Sequence, residues 1–135
     1  MKKECCGSEN VYRLNKIVKE KFDGKVFYKN LANGEWHKLD FYQQLANIGS
    51  EVSRARLARG KNEERFWGAV TRGLELFNLT LIDKRWNAGR KKEICRACEI
   101  FCDAVLGGKV YDSDLESLDR YFMDFALLAA KSRNN

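Results

Sequence analysis

Proline is absent from all 135 residues of this chain, and histidine occurs once. A turn-rich all-β domain would normally use proline, whereas helix interiors exclude it, so its absence favours a mostly helical protein. No nucleophile or acid adjacent to the single histidine, His37, suggests a catalytic relay. No arginine precedes it at the four-to-six-residue spacing of the ribonuclease motif found in some small helical toxin domains. A Gly-rich phosphate loop and the Glu-x-x-His pair of di-iron bundles are also missing. Catalysis is therefore not expected, and no cofactor is expected. No run approaches the ~18 apolar residues of a membrane span, so a membrane partner is not expected either. The first ten residues, MKKECCGSEN, carry two lysines with no apolar region behind them, which does not read as a secretory signal. The expected location is cytoplasmic, where thiols stay reduced, and an odd count of five cysteines argues against a complete disulfide framework.

What the chain does have is helical periodicity. Val11, Leu14, Val18 and Phe22 place a short amphipathic helix over residues 9–22, ended by Asp23-Gly24. Residues 23–34 are less patterned: Val26 to Tyr28 read as a short extended piece and Asn33-Gly34 as a turn. From there Phe41, Leu45, Ile48, Val52 and Ala55 form one stripe of a helix predicted over 35–59 and stopped by Gly60. Asn62 is a cap for the next helix, with Glu63 and Glu64 in its first turn; Phe66, Val70, Gly73, Phe77 and Leu81 carry its stripe to about Ile82. A third helix is predicted over 90–106, ended by Gly107-Gly108. A capping box of Ser113 and Glu116 then opens a last helix lined by Leu115, Leu118, Phe122, Phe125 and Ala129. The expected fold is all-α: an antiparallel up-down four-helix bundle over 35–135, with 1–34 as an additional N-terminal helix or arm.

Three cysteines fall within KKEICRACEIFC, residues 91–102. Cys95, Cys98 and Cys102 lie at i, i+3 and i+7 and share a face with Ile94, Phe101 and Val105. A structural zinc site needs four ligands, usually held by turns, whereas reduced cysteine packs as a small apolar residue. The spacing therefore reads as core, and no metal site is assigned. Cys5-Cys6 reads as an exposed, oxidisable tail. Glu51 and Glu75 sit in mid-helix, where they either face each other or pair with Arg54 or Arg72.

The net charge of +6 is uneven. Residues 54–96 hold twelve Lys/Arg against five Asp/Glu, and residues 97–135 hold four against seven. Such a balance fits an anionic partner; it equally fits two solvated faces that attract each other or a neighbouring subunit. Two basic segments stand out: Arg54, Arg56, Arg59, Lys61 and Arg65 in the first, Lys84, Arg85, Trp86, Arg90, Lys91 and Lys92 in the second. Arginine and lysine neutralise phosphates, and a tryptophan in a basic loop stacks on an unpaired base. The other reading of Trp86 is a buried cap on the bundle end. No nucleic-acid module signature is present. In an up-down bundle the two joints fall at opposite ends, about 30 Å apart for a twenty-residue helix.

At LANIGSEVSRA (45–55), RGLELFNLTLID (72–83) and YFMDFALLAA (121–130) the chain resembles a group of small, uncharacterised bacterial helical proteins, over roughly residues 36–130. That resemblance implies a helical fold and transfers no activity or site. A looser similarity, in size and helix count alone, is to the basic four-helix proteins that accompany reverse transcriptases in diversity-generating retroelements. The expected function is a non-enzymatic interaction or adaptor module, binding RNA or DNA phosphates through segments 54–65 and 84–92, or a protein partner. A homo-oligomer is expected, and the alternative is a small-ligand or metal-binding helical bundle.

Overall fold

A computed structural model of the protein describes residues 8–22 and 34–133, and among these every regular element is helical. The elements are α1 (Glu9–Phe22), a 3₁₀ turn (Trp36–Lys38), α2 (Phe41–Ala58), α3 (Glu63–Leu81), α4 (Ala88–Val105) and α5 (Leu115–Arg133). The readings of Cys5-Cys6, Asp23-Gly24, Val26 to Tyr28 and Asn33 lie outside the described residues.

Each helix start has a local cause. Ser8 Oγ accepts from the Val11 amide and opens α1. The helix predicted from residue 35 starts later, because Asp40 builds a reciprocal box. Its Oδ1 accepts from the Gln43 amide at 2.7 Å, while Gln43 Oε1 accepts from the Asp40 amide at 2.9 Å. Trp36–Lys38 is left as a separate turn carrying the exposed His37. Asn62 caps α3 and Asn87 caps α4, each accepting from the amide three residues on. The predicted box of Ser113 and Glu116 does not form. Asp114 is the cap, accepting from the Ser117 amide at 2.8 Å, and Ser113 Oγ turns instead to Asp103 Oδ2 at 2.9 Å. The turn after α4 requires glycine at 108: φ is +74°, and a Cβ there would lie 2.4 Å from the Ser113 carbonyl oxygen.

α2 is the central element, packed along both α3 and α5. Gly49 permits the second contact, since a Cβ at that position would lie 2.7 Å from Phe122 Cβ. Arg56 near the end of α2 bonds to Asp119 near the start of α5, and Tyr42 at the start of α2 stacks on Phe125. The buried core runs through Leu45, Ile48, Val52, Val70, Phe77, Ile94, Phe101 and Phe122, with Phe77 against both Phe101 and Phe122. Cys98 and Cys102 are buried in it, and Cys95 is half-buried. α1 lies against α4 and α3, and its Val11, Leu14 and Val18 belong to the same core. No helix among the described residues is long and apolar enough to cross a membrane.

Candidate nucleic-acid interface

The joint between α3 and α4 is built around one buried acid. Asp83 accepts from Gln44 Nε2 at 2.9 Å and from Arg85 through its amide, Nε and Nη2 at 3.1, 3.0 and 2.7 Å. The Arg85 bonds hold the Asp83 carboxyl far below the ordinary aspartate range, against the upward push of burial and with help from Gln44. Arg85 is raised in turn by Asp83. Gln44 is used at both ends: Nε2 also donates to the Trp36 carbonyl at 3.0 Å, and Oε1 accepts from Trp86 Nε1 at 2.9 Å. Trp36 Nε1 donates to Thr80 Oγ1 at 3.0 Å. This network fastens the start of α2 to the end of α3 and fixes the path into α4.

Trp86 is 8% exposed. Its ring meets Phe41 edge to face at 5.1 Å, with the Arg85 guanidinium 4.3 Å from its centroid and the Arg90 guanidinium 5.3 Å away. It is therefore the buried cap of the two readings, and its ring does not stand open for a nucleobase. Arg90 also lies 4.4 Å from the Phe41 ring, so this guanidinium is steered by aromatic faces while the residue remains exposed. Lys84 and Lys92 are exposed and Lys91 is half-buried. Asn87, Ala88 and Gly89, which open α4, are exposed as well.

The first basic segment is largely engaged within the fold. Arg54 Nη1 bonds to Glu51 at 2.9 Å and Arg56 Nε to Asp119 at 2.7 Å. Arg59 donates to the Ala104 and Val105 carbonyls at 2.9 and 2.8 Å, closing the C-terminus of α4. Glu51 also accepts from Arg72 Nε at 3.2 Å, so it takes both of its arginine partners. Only Lys61 and Arg65 of this segment are exposed without a role of this kind in the fold. They lie at the start of α3, while the second segment follows its end, and 19 residues of helix separate the two by about 28 Å.

Two features were not picked out from the sequence. Lys21 at the end of α1 sits 4.9 Å from the ring of the half-buried Trp67, bringing a cation of α1 to the start of α3. Asp103, buried near the end of α4, accepts from the amides of Val110 and Tyr111, Ser113 Oγ and Asn10 Nδ2. The Asp-x-x-Gln spacing was visible at Asp40; nothing in the local sequence marks Gln44 or Asp103 as a hub. Among the described residues no three His, Cys, Asp or Glu side chains converge where they could hold a metal ion. Tyr121 and Glu93 share a short hydrogen bond at the rim of a groove of about 370 Å³ between α4 and α5. Burial, followed by that bond, pushes the Tyr121 phenol upward. Neither Cys95, Cys98 and Cys102 nor Glu51 and Glu75 line this groove. Compared with protein-family models, curated proteins and solved structures, the chain matches none of them.

Proposed function

We propose that the protein is a non-enzymatic, cytoplasmic helical binding module that engages the phosphates of RNA or DNA at the start of α4. The observation that carries this reading is a conflict of charge. α3 opens with Glu63 and Glu64, and α5 with Asp114 and Glu116, acids that suit the positive end of a helix dipole. α4 opens with no acid at all and places Arg90, Lys91 and Lys92 directly behind Asn87, Ala88 and Gly89. A cation in the first turn of a helix opposes the dipole by about 0.3–1 kcal/mol at low salt, and the effect fades beyond that turn. A phosphate would reverse the sign of that cost, meeting both the cations and the first N–H groups of the helix, which lack intrahelical acceptors.

In this reading α2 to α5 form an antiparallel up-down bundle, with α1 laid across the end that holds the α2–α3 joint. Contacts such as Arg56 with Asp119 and Trp36 with Thr80 support that order. The Asp83–Arg85–Gln44 network holds the joint rigid while Lys84, Arg90 and Lys92 remain open at its rim. Binding would be read through charge and not through Trp86. Fluorescence anisotropy of a labelled single-stranded oligonucleotide tests it: binding at low salt that weakens steeply with added salt is expected. An absence of binding at low salt would remove nucleic acid and turn the search to a protein partner.

A further inference from the structure

A second surface is independent of this reading. Leu57, Met123 and Leu127 are 56%, 54% and 60% exposed, and all three lie on the outer face of the α2–α5 pair. Leu57 is two turns beyond Ser50 on α2; Met123 and Leu127 are one turn apart on α5. Met123 stands at the edge of a groove of about 290 Å³ between the two helices, whose α2 wall is four small residues, Ala46, Gly49, Ser50 and Ser53, ended by Arg54. Met123 and Leu127 thus stand on α5 and Leu57 on α2, with the shallow trough between the two helices.

Charge is arranged in the same frame. The Arg56–Asp119 bond places the C-terminal half of α2 level with the N-terminal half of α5. At that level α2 presents Arg54, whose side chain is 61% exposed, and α5 presents the exposed Glu116, on the same helical line as Met123. A knob, a trough, a cation and an anion on one patch are the elements of an isologous interface, in which the same surface serves both partners.

We propose that this face binds a second copy of the chain. A two-fold axis running along the helices would set α5 of one protomer over α2 of the other at the same level. Met123 then covers Ser50, Leu127 covers Ala46, and Glu116 approaches Arg54 and Leu57, twice over. Exposed apolar area is removed from water, and opposite charges meet at the rim, where they favour register and encounter. The same axis carries both α4 starts to one end of the dimer.

Sedimentation velocity on the full chain, from low to high micromolar, tests the proposal. The expected wild-type mass is twice 15.7 kDa. Leu127→Glu and Ser50→Arg, both at exposed positions, should each return the protein to monomer with unchanged circular dichroism and melting. Glu116→Arg should weaken the dimer more at low salt than at high salt. A wild-type monomer at high micromolar concentration would overturn the proposal, as would a dimer that survives both Leu127→Glu and Ser50→Arg. Indifference to Glu116→Arg at every salt concentration would overturn the charge pairing.

Discussion

Asp83 and Asp103 are both buried, and they stand at the two ends of α4. Asp83 is satisfied by a cation: Arg85 wraps it with three donors and also donates from Nη2 to the Leu39 carbonyl at 2.6 Å. Asp103 is satisfied by neutral donors, two backbone amides, a hydroxyl and a side-chain amide. The nearby cation, Arg59, goes to the helix carbonyls instead. The difference shows how each joint treats charge. At the start of α4 the acid is neutralised inside and further cations stay at the rim. At its end the acid remains a lone anion among dipoles, and the guanidinium is absorbed by the fold. Around the first joint Lys84, Arg90 and Lys92 stay exposed.

The largest contrast should come from the aromatic residue of each joint. Trp86→Ala removes a buried ring and its bond to Gln44, and is expected to destabilise the protein by about 3–5 kcal/mol. Tyr111→Ala, at a residue 51% exposed, should change stability by less than about 0.5 kcal/mol. Urea unfolding of the two variants measures both values, and similar losses would break the comparison.

Acid separates the two aspartates next. Folding lowers both carboxyls. In Asp83 the Arg85 bonds lead; in Asp103 burial pushes upward but is outweighed by the Val110 and Tyr111 amides, Ser113 and Asn10. A carboxyl lower in the folded than the unfolded chain contributes stability that is complete above about pH 5 and is lost as the pH falls below about 4. Asp83 is paired with a guanidinium and Asp103 with neutral donors only, so Asp83→Asn should flatten the acid limb of a stability–pH curve more than Asp103→Asn does. Equal flattening would mean that the Arg85 pairing adds little. Between the two joints, Cys98→Ala should cost on the order of 1 kcal/mol and leave metal content unchanged. Near-stoichiometric zinc or iron that vanishes in this variant would contradict the core reading of that face.

Much of this fold was legible because its helices repeat their apolar residues at the period of the elements they form. The stripes of α2 and α3, and the cysteine face of α4 with Cys98 and Cys102 buried, follow from that period alone. Helix starts were less legible. Asp114 displaces the predicted Ser113, and Asp40 caps a helix predicted to start at 35; each is the residue whose side chain reaches an amide three residues on. The candidate site was legible as composition and not as geometry. Arg56 and Arg59 look the same in sequence as Arg90, yet their partners, Asp119 and the Ala104 carbonyl, lie 63 and 45 residues away. Sorting bound from open cations requires the tertiary structure.

The central claim is that the open cations at the start of α4, and not those at the other end of the bundle, meet phosphate. The most direct test is the salt dependence of oligonucleotide affinity in two variants, Arg90→Ala/Lys91→Ala/Lys92→Ala and Lys61→Ala/Arg65→Ala. The first should weaken binding and reduce the slope of log affinity against log salt by up to ~2–3, with melting unchanged or slightly raised. The second should leave the slope as in the wild type. Equal loss in the two variants, or an unchanged slope in the first, would contradict the account.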